Sequence, residues 1–134
     1  MPTVQKSLNL RSKGRGTIDL TAQVAAVVGD SGIKQGLCNL FLRHTSASLI
    51  LCENAAPAVR RDLETLLARL APDGDPAYVH DDEGPDDMAA HARTVLTSSS
   101  RRRAVVSSAR SIPGEMSVAT ARSITPDSAR LIVK

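Results

Sequence analysis

The chain has 134 residues, 42% hydrophobic and 23% charged, with a formal net charge of +3. That suits one soluble domain with a core of its own, and no apolar run approaches the roughly 20 residues that span a bilayer. Phe41 and Tyr78 are the only aromatic residues, so bases would find almost no rings to stack on, which argues against a nucleic-acid binder.

The charge is uneven. Residues 1–100 hold ten Lys/Arg against twelve Asp/Glu, and residues 101–134 hold seven against two. The basic balance therefore belongs to the end of the chain, which reads as a solvated face or a contact for an anionic partner. Cys38 and Cys52 are too few for a disulfide framework and sit in apolar runs. Buried, reduced thiols and a cytoplasmic setting are the expectation.

In chain order, Val4–Leu10 alternates apolar and polar residues, as a half-buried strand does. Ser12–Gly16 turns the chain, and Thr17–Leu20 is a short strand or a helix entry. Thr21 is placed to cap a helix over Ala22–Val28, with Gly29 just past its end. Gly36–His44 reads as a central strand with Cys38, Leu40, Leu42 and His44 on one face and Leu37, Asn39, Phe41 and Arg43 on the other. Apolar residues on both faces predict cover on both sides. Ser46-Ala47-Ser48 breaks the run, and Leu49–Cys52 resumes it, as though in a hairpin with the preceding strand. Asn54 and Pro57 open the most regular helix, with Val59, Leu63, Leu66, Leu67 and Leu70 as its apolar stripe. A loop follows at Pro72–Pro76, and a last helix opens at Pro85 with Asp86 and Asp87 in its first turn, where carboxylates complement the helix dipole. Beyond Thr97, short β-prone pieces at 104–106, 116–118 and 131–133 are separated by turns. One α+β domain over 1–134, mostly antiparallel with two or three helices, is the economical architecture.

All three histidines lie between Arg43 and His91. Asp87 and His91 stand four apart, hence on one helix face, which suits two ligands of one metal or a carboxylate orienting an imidazole. Ordinary surface pairs share that spacing, but Met88 and Val95 on the same face would draw His91 inward. His44 at a strand end is also compatible with a purely structural role. The small hydroxyl residues after it, Thr45, Ser46 and Ser48, would let an anion approach closely. Asn54 is either a helix cap or a further ligand contact. No Gly-x-Ser-x-Gly elbow, phosphate loop with its lysine, or zinc-type cysteine spacing is present.

At His44-Thr45-Ser46-Ala47-Ser48, Glu53-Asn54 and Asp86-Asp87-Met88-Ala89-Ala90-His91 the chain resembles the YjbQ family. The likeness runs from about Leu8 to Thr97 and takes in Lys13-Gly14-Arg15-Gly16, Pro57 with Arg60-Arg61-Asp62-Leu63, and His80-Asp81 before Glu83-Gly84. It implies an α+β fold with an antiparallel β-sandwich core, a homotrimer, and a secondary thiamine-phosphate synthase activity that joins hydroxymethylpyrimidine diphosphate to a thiazole phosphate with release of pyrophosphate. By position it implies His44, Asp87 and His91 as catalytic residues and as ligands of a divalent metal cation, with Thr45, Ser46, Ser48, Asn54 and Asp86 binding the phosphorylated substrate and His80 close by. A non-catalytic trimer that binds a small phosphorylated ligand or a metal is the alternative. Residues 100–134 diverge: where the family carries Gly-Thr-Trp-Gln-Gly and then Glu-His-Arg, Ala119-Thr120-Ala121-Arg122-Ser123 keeps only the threonine.

Overall fold

The computed structural model describes residues 2–52 and 56–97 with the backbone of three later strands. The elements are β1 (Val4–Leu8), β2 (Gly16–Asp19), α1 (Thr21–Asp30), β3 (Gly36–Leu42), β4 (Ala47–Cys52), α2 (Pro57–Leu70), α3 (Asp87–Thr97), β5 (Arg101–Val106), β6 (Glu115–Thr120) and β7 (Ala129–Val133). Two antiparallel sheets form, one in the order β1-β7-β3-β5 and the other β2-β6-β4. This is an α+β fold. Its core lies between strands of both sheets and α1: Cys38, Leu40 and Leu42 of β3 meet Ala47 and Leu49 of β4, with Leu20, Val24 and Val28 closing the cluster. With no buried aromatic to fill it, this volume is packed by branched aliphatics at strand period 2 and helix spacing i, i+4.

Several local expectations are corrected. Of the two readings of Thr17–Leu20 the strand is the one found, as Gly16–Asp19, and α1 starts at Thr21. Thr21 is not the cap. Its N–H donates to the Asp19 carboxylate at 2.8 Å, so the acid two residues upstream satisfies the helix start. Gly29 stays inside α1, which ends where Ser31 donates its N–H to the Val27 carbonyl at 3.1 Å and its hydroxyl to the Val28 carbonyl at 2.6 Å. Gly32 then takes φ +68, a value that costs other residues a Cβ clash.

β3 and β4 are not a hairpin. They belong to different sheets, so the four residues Arg43–Ser46 form a corner from one sheet to the other. β3 stops at Leu42, two residues short of the expected end, and β4 begins already at Ala47. The corner uses small residues because Ser46, Ala47 and Ser48 are buried where the two sheets converge. Among the described residues, the double cover expected for β3 is seen on one face only. Leu40 and Leu42 are buried, whereas Leu37 and Phe41 remain exposed.

The stripe on α2 is likewise less buried than its period promised. None of its residues is fully buried, and Leu66 and Leu70 stand in solvent. The core cluster takes Val24 and Val28 from α1 and no residue from α2. Among the described residues, no helix is long and apolar enough to cross a membrane. Burial pushes the Cys38 thiol up to about 11, which leaves it protonated and inert.

Candidate metal and anion site

α3 opens at Asp87, two residues later than expected, because the chain before it is held in two consecutive turns. Gly84 donates to the Asp81 carbonyl at 2.8 Å, and Asp87 N–H donates to the Gly84 carbonyl at 3.0 Å. Gly84 carries φ +117, open to glycine and strained for most other residues. The long loop between α2 and α3 is closed on itself by Gly74 N–H to the Pro85 carbonyl, 2.7 Å. These bonds carry His80 from the loop onto the same face as Asp87 and His91.

His80, Asp87 and His91 each offer one ligand atom, and the three atoms lie within 4.8 Å of one another. The Asp87 carboxylate is buried, its side chain 4% exposed, beneath two half-exposed imidazoles. Its Oδ1 stands 3.3 Å from His91 Nε2, and its Oδ2 stands 3.3 Å from His80 Nε2 and accepts Glu83 N–H at 3.2 Å. The two ring centroids stand 5.4 Å apart, with the planes tilted by 43°.

The outer nitrogens decide what the inner ones can do. His91 Nδ1 lies 3.2 Å from the Thr45 carbonyl, which only accepts, so Nδ1 carries the proton. His80 Nδ1 faces the Asp82 carboxylate at 3.5 Å, with the same consequence. In the neutral rings both Nε2 atoms then present lone pairs toward carboxylate oxygens. Lone pairs and an anion at that distance repel, and the arrangement asks for positive charge between them: a proton on each ring, or one cation shared by all three groups. An imidazole whose second nitrogen is fixed by a carbonyl or carboxylate is the usual dress of a metal ligand.

His44, expected as the third ligand, is replaced in the cluster by His80. Its Nδ1 accepts from Ser46 N–H at 3.1 Å and lies 3.1 Å from the Ser46 hydroxyl. The proton of the neutral ring therefore sits on Nε2, and neither nitrogen has a free lone pair for a metal. Partial burial lowers the His44 pKa, the neighbouring His91 lowers it further, and Glu83 opposes both. His44 is thus a neutral N–H donor on the wall of the recess. That recess, about 570 Å³, is lined by His44, Thr45 and Ser46 from the corner, by His80, Asp82 and Glu83 from the loop, and by Asp87 and His91 from α3.

Other residues named from the sequence fall elsewhere. Ser48 is 1% exposed and its hydroxyl is hydrogen-bonded to that of Thr97, so it ties β4 to the end of α3 rather than facing a ligand. Asp86 does not line the recess; its carbonyl accepts Ala90 N–H in the first turn of α3. Asn54 lies outside the described residues. Val95, expected beside His91 in the interior, is 72% exposed. His91 is drawn inward by Thr45 and Asp87 instead. Sequence reasoning left His80 at the margin because it lies eleven positions before His91, with no period to link them. The signal was the run His80-Asp81-Asp82-Glu83-Gly84, acidic and turn-forming, directly before the helix.

Comparison with known proteins gives the family and the fold. The profile of the UPF0047 protein YjbQ-like family matches residues 6–116. A UPF0047 protein of Synechocystis sp. is 44% identical over 102 residues, 76% of this chain and 69% of its own length. The UPF0047 protein YjbQ of Escherichia coli O157:H7 is 41% identical over 97 residues, 72% and 70% respectively. Among solved structures, a conserved hypothetical protein of Thermus thermophilus superposes with TM-score 0.76 at 27% identity over 98% of both chains. A YbjQ-like protein of unknown function from Sulfolobus solfataricus shares the fold, with TM-score 0.80 at 19% identity over 98% of this chain and 96% of its own. With the profile match spanning the corner, the loop and α3 together, the chain belongs to the YjbQ-like UPF0047 family.

Proposed function

We propose that His80, Asp87 and His91 hold a divalent cation and that the chain acts there on a phosphorylated small molecule, as a transferase of the thiamine-phosphate-synthase type. The reaction would join hydroxymethylpyrimidine diphosphate to a thiazole phosphate and release pyrophosphate. The observation that carries the reading is the pair of Nε2 atoms, each 3.3 Å from an oxygen of one buried carboxylate. Two imidazoles and one carboxylate suit zinc or a similar transition metal better than magnesium, which prefers oxygen ligands and keeps its waters. When bound, the cation supplies positive charge for the oxygens of a departing diphosphate. Thr45 and Asp82 hold the two rings in the ligating tautomer. His44, neutral with its proton on Nε2, donates to a phosphate oxygen without competing for the metal. The uncovered apolar residues of α2 offer surface for assembly into a homotrimer, and the reduced thiols fit a cytosolic setting.

A second reading, a binder of the same ligands without turnover, is favoured by the sequence at 119–123, which lacks the tryptophan and the glycines of the family motif. Titration calorimetry with Zn²⁺ and Mg²⁺ tests the shared part. Asp87→Asn and His80→Ala should each weaken Zn²⁺ binding about 100-fold, and His44→Ala should leave it within threefold, since loss of one of three ligands removes a large share of the coordination energy. Unchanged affinity in Asp87→Asn overturns the site. Metal binding without formation of thiamine phosphate from the two phosphates selects the second reading.

A further inference from the structure

The recess is lined by three carboxylates, Asp82, Glu83 and Asp87, and among the described residues by no lysine or arginine. Asp87 belongs to the three-residue cluster, and Asp82 faces His80 Nδ1. Glu83 is not one of the three ligands, yet its backbone is fixed against them, since its N–H donates to Asp87 Oδ2 at 3.2 Å. Its carboxylate also lies within electrostatic reach of His44. Burial lowers the pKa of that ring, His91 lowers it further, and Glu83 opposes both.

Three protein ligands are one fewer than a closed zinc site takes, and the open place is where catalytic sites hold water. All three ligand residues line the recess, so a water at that place shares it with Glu83 and His44. A cation, a carboxylate outside its ligand set and a neutral N–H donor are the parts that hydrolysis needs. They supply a charge that acidifies water, a base for its proton and a donor for the oxyanion.

The charges select the substrate. Beside one divalent cation and neutral imidazoles, the three carboxylates leave the recess with a net charge of −1. A neutral ester or amide meets none of the repulsion that a further anion meets there. The rest of the lining is Thr45, Ser46 and imidazoles, with no large apolar side chain. A small polar acyl compound fits such a wall, whereas a long acyl chain finds nothing to pack on.

We propose that the recess hydrolyses small neutral esters or amides, with Glu83 as general base and His44 as oxyanion donor. This activity goes beyond the phosphate chemistry above and rests only on the cation site that the two share. Water gives a proton to the Glu83 carboxylate while its oxygen bonds to the acyl carbon. The carbonyl oxygen takes up the negative charge beside His44 Nε2–H. The carbonyl then re-forms, the bond from carbon to the ester oxygen or amide nitrogen breaks, and that atom leaves with the proton held by Glu83. One water is consumed, and an acid and an alcohol or amine are released. When bound, the cation supplies the positive charge that makes the water a stronger acid.

The test follows p-nitrophenyl acetate hydrolysis by the Zn²⁺-loaded protein, with calorimetric titration of Zn²⁺ and of acetohydroxamic acid alongside. Hydrolysis should exceed that of Zn²⁺ in buffer and stop on chelation. Glu83→Gln should lower kcat about 100-fold, the scale of one general base, and leave Zn²⁺ affinity within threefold, which also reports an intact fold. Glu83→Asp keeps a carboxylate and should retain more activity than Glu83→Gln. Acetohydroxamic acid, a small neutral acyl compound, should bind the Zn²⁺-loaded protein and give its proton to Glu83. Glu83→Gln should therefore weaken it at least tenfold, about the worth of one charge-assisted hydrogen bond. A protein that binds Zn²⁺ without accelerating the ester overturns the hydrolytic activity alone. Glu83→Gln within threefold of the parent in kcat or in hydroxamate affinity overturns the role of Glu83. Failure to bind Zn²⁺ overturns the cation site and the parent reading with it.

Discussion

Arg93 offers the sharpest test of how the site is held. It lies two residues beyond His91 on α3, and its side chain is 6% exposed. Its Nη2 donates to the Ala71 carbonyl at 2.6 Å and to Asp73 Oδ1 at 2.7 Å, and Nε reaches the Leu67 carbonyl at 3.4 Å. The guanidinium thus caps the last turn of α2 with a donor that its own helix cannot supply. Asp73 in turn receives Arg15 Nη1 at 2.6 Å, so one carboxylate joins the β1–β2 turn, the α2–α3 loop and α3. Replacing Arg93 by Met keeps the apolar stem and deletes the head. Each Nη2 bond is worth about 1.5–3 kcal/mol as a charge-assisted bond, but the Asp73 share shrinks because its side chain is 39% exposed and solvent screens it. Against these stands Nη1, which is buried with no hydrogen-bond partner among the described residues; removing it returns about 1–3 kcal/mol. The expected net loss is about 2 kcal/mol. For a chain of this size that lowers the melting temperature by roughly 5–10 °C. Urea unfolding and calorimetry on Arg93→Met and Asp73→Asn give the comparison, with Asp73→Asn costing less than half as much because Arg93 keeps the Ala71 carbonyl. An Arg93→Met protein that melts within 2 °C of the parent, or above it, would refute the reasoning, since a buried guanidinium can be replaced by an apolar residue without loss when its bonds do not repay its desolvation.

Three further outcomes follow from the same geometry. Ser48→Ala should cost about 1 kcal/mol in urea unfolding through the lost Thr97 bond and leave phosphate and Zn²⁺ affinity unchanged; a selective loss of phosphate binding would restore Ser48 to the site. Leu40→Ala should cost about 3–4 kcal/mol, because Leu40 is fully buried in a core of aliphatics with little room to collapse; a cost below 1 kcal/mol by denaturant titration would contradict the shared two-sheet core. The metal-free protein should lose stability on acidification through His44. Its folded-state pKa is lowered, so below the unfolded value of about 6.5 the unfolded chain takes up the proton first and the balance shifts toward unfolding until pH passes the folded value. His44→Gln should flatten this part of the profile between pH 7 and pH 5, and an identical slope in both proteins would exclude the contribution.

Much of the architecture was written in local pattern. Alternation from Val4, the apolar run from Gly36, the helical period after Pro57 and the acidic start of the last helix correspond to β1, β3, α2 and α3, because each element repeats its side-chain directions with its own period. Asp87 and His91 were legible for the same reason: an i, i+4 pair is a property of the helix alone. What the sequence could not carry was the partner of each face. The stripe on α2 has the right period yet stays outside the core, whose helical members are Val24 and Val28 of α1, and among the described residues the outer face of β3 is apolar without being covered. The exchange of His44 for His80 has the same origin. Whether β3 and β4 pair or part into separate sheets is settled by which later strands pair with each, and that choice turns Arg43–Ser46 into a corner, commits Nδ1 of His44 to Ser46, and leaves the third place beside Asp87 to a loop histidine. Backbone period and residue type determined the elements and one pair of the cluster; long-range packing, which alone joins segments with no common period, decided the third.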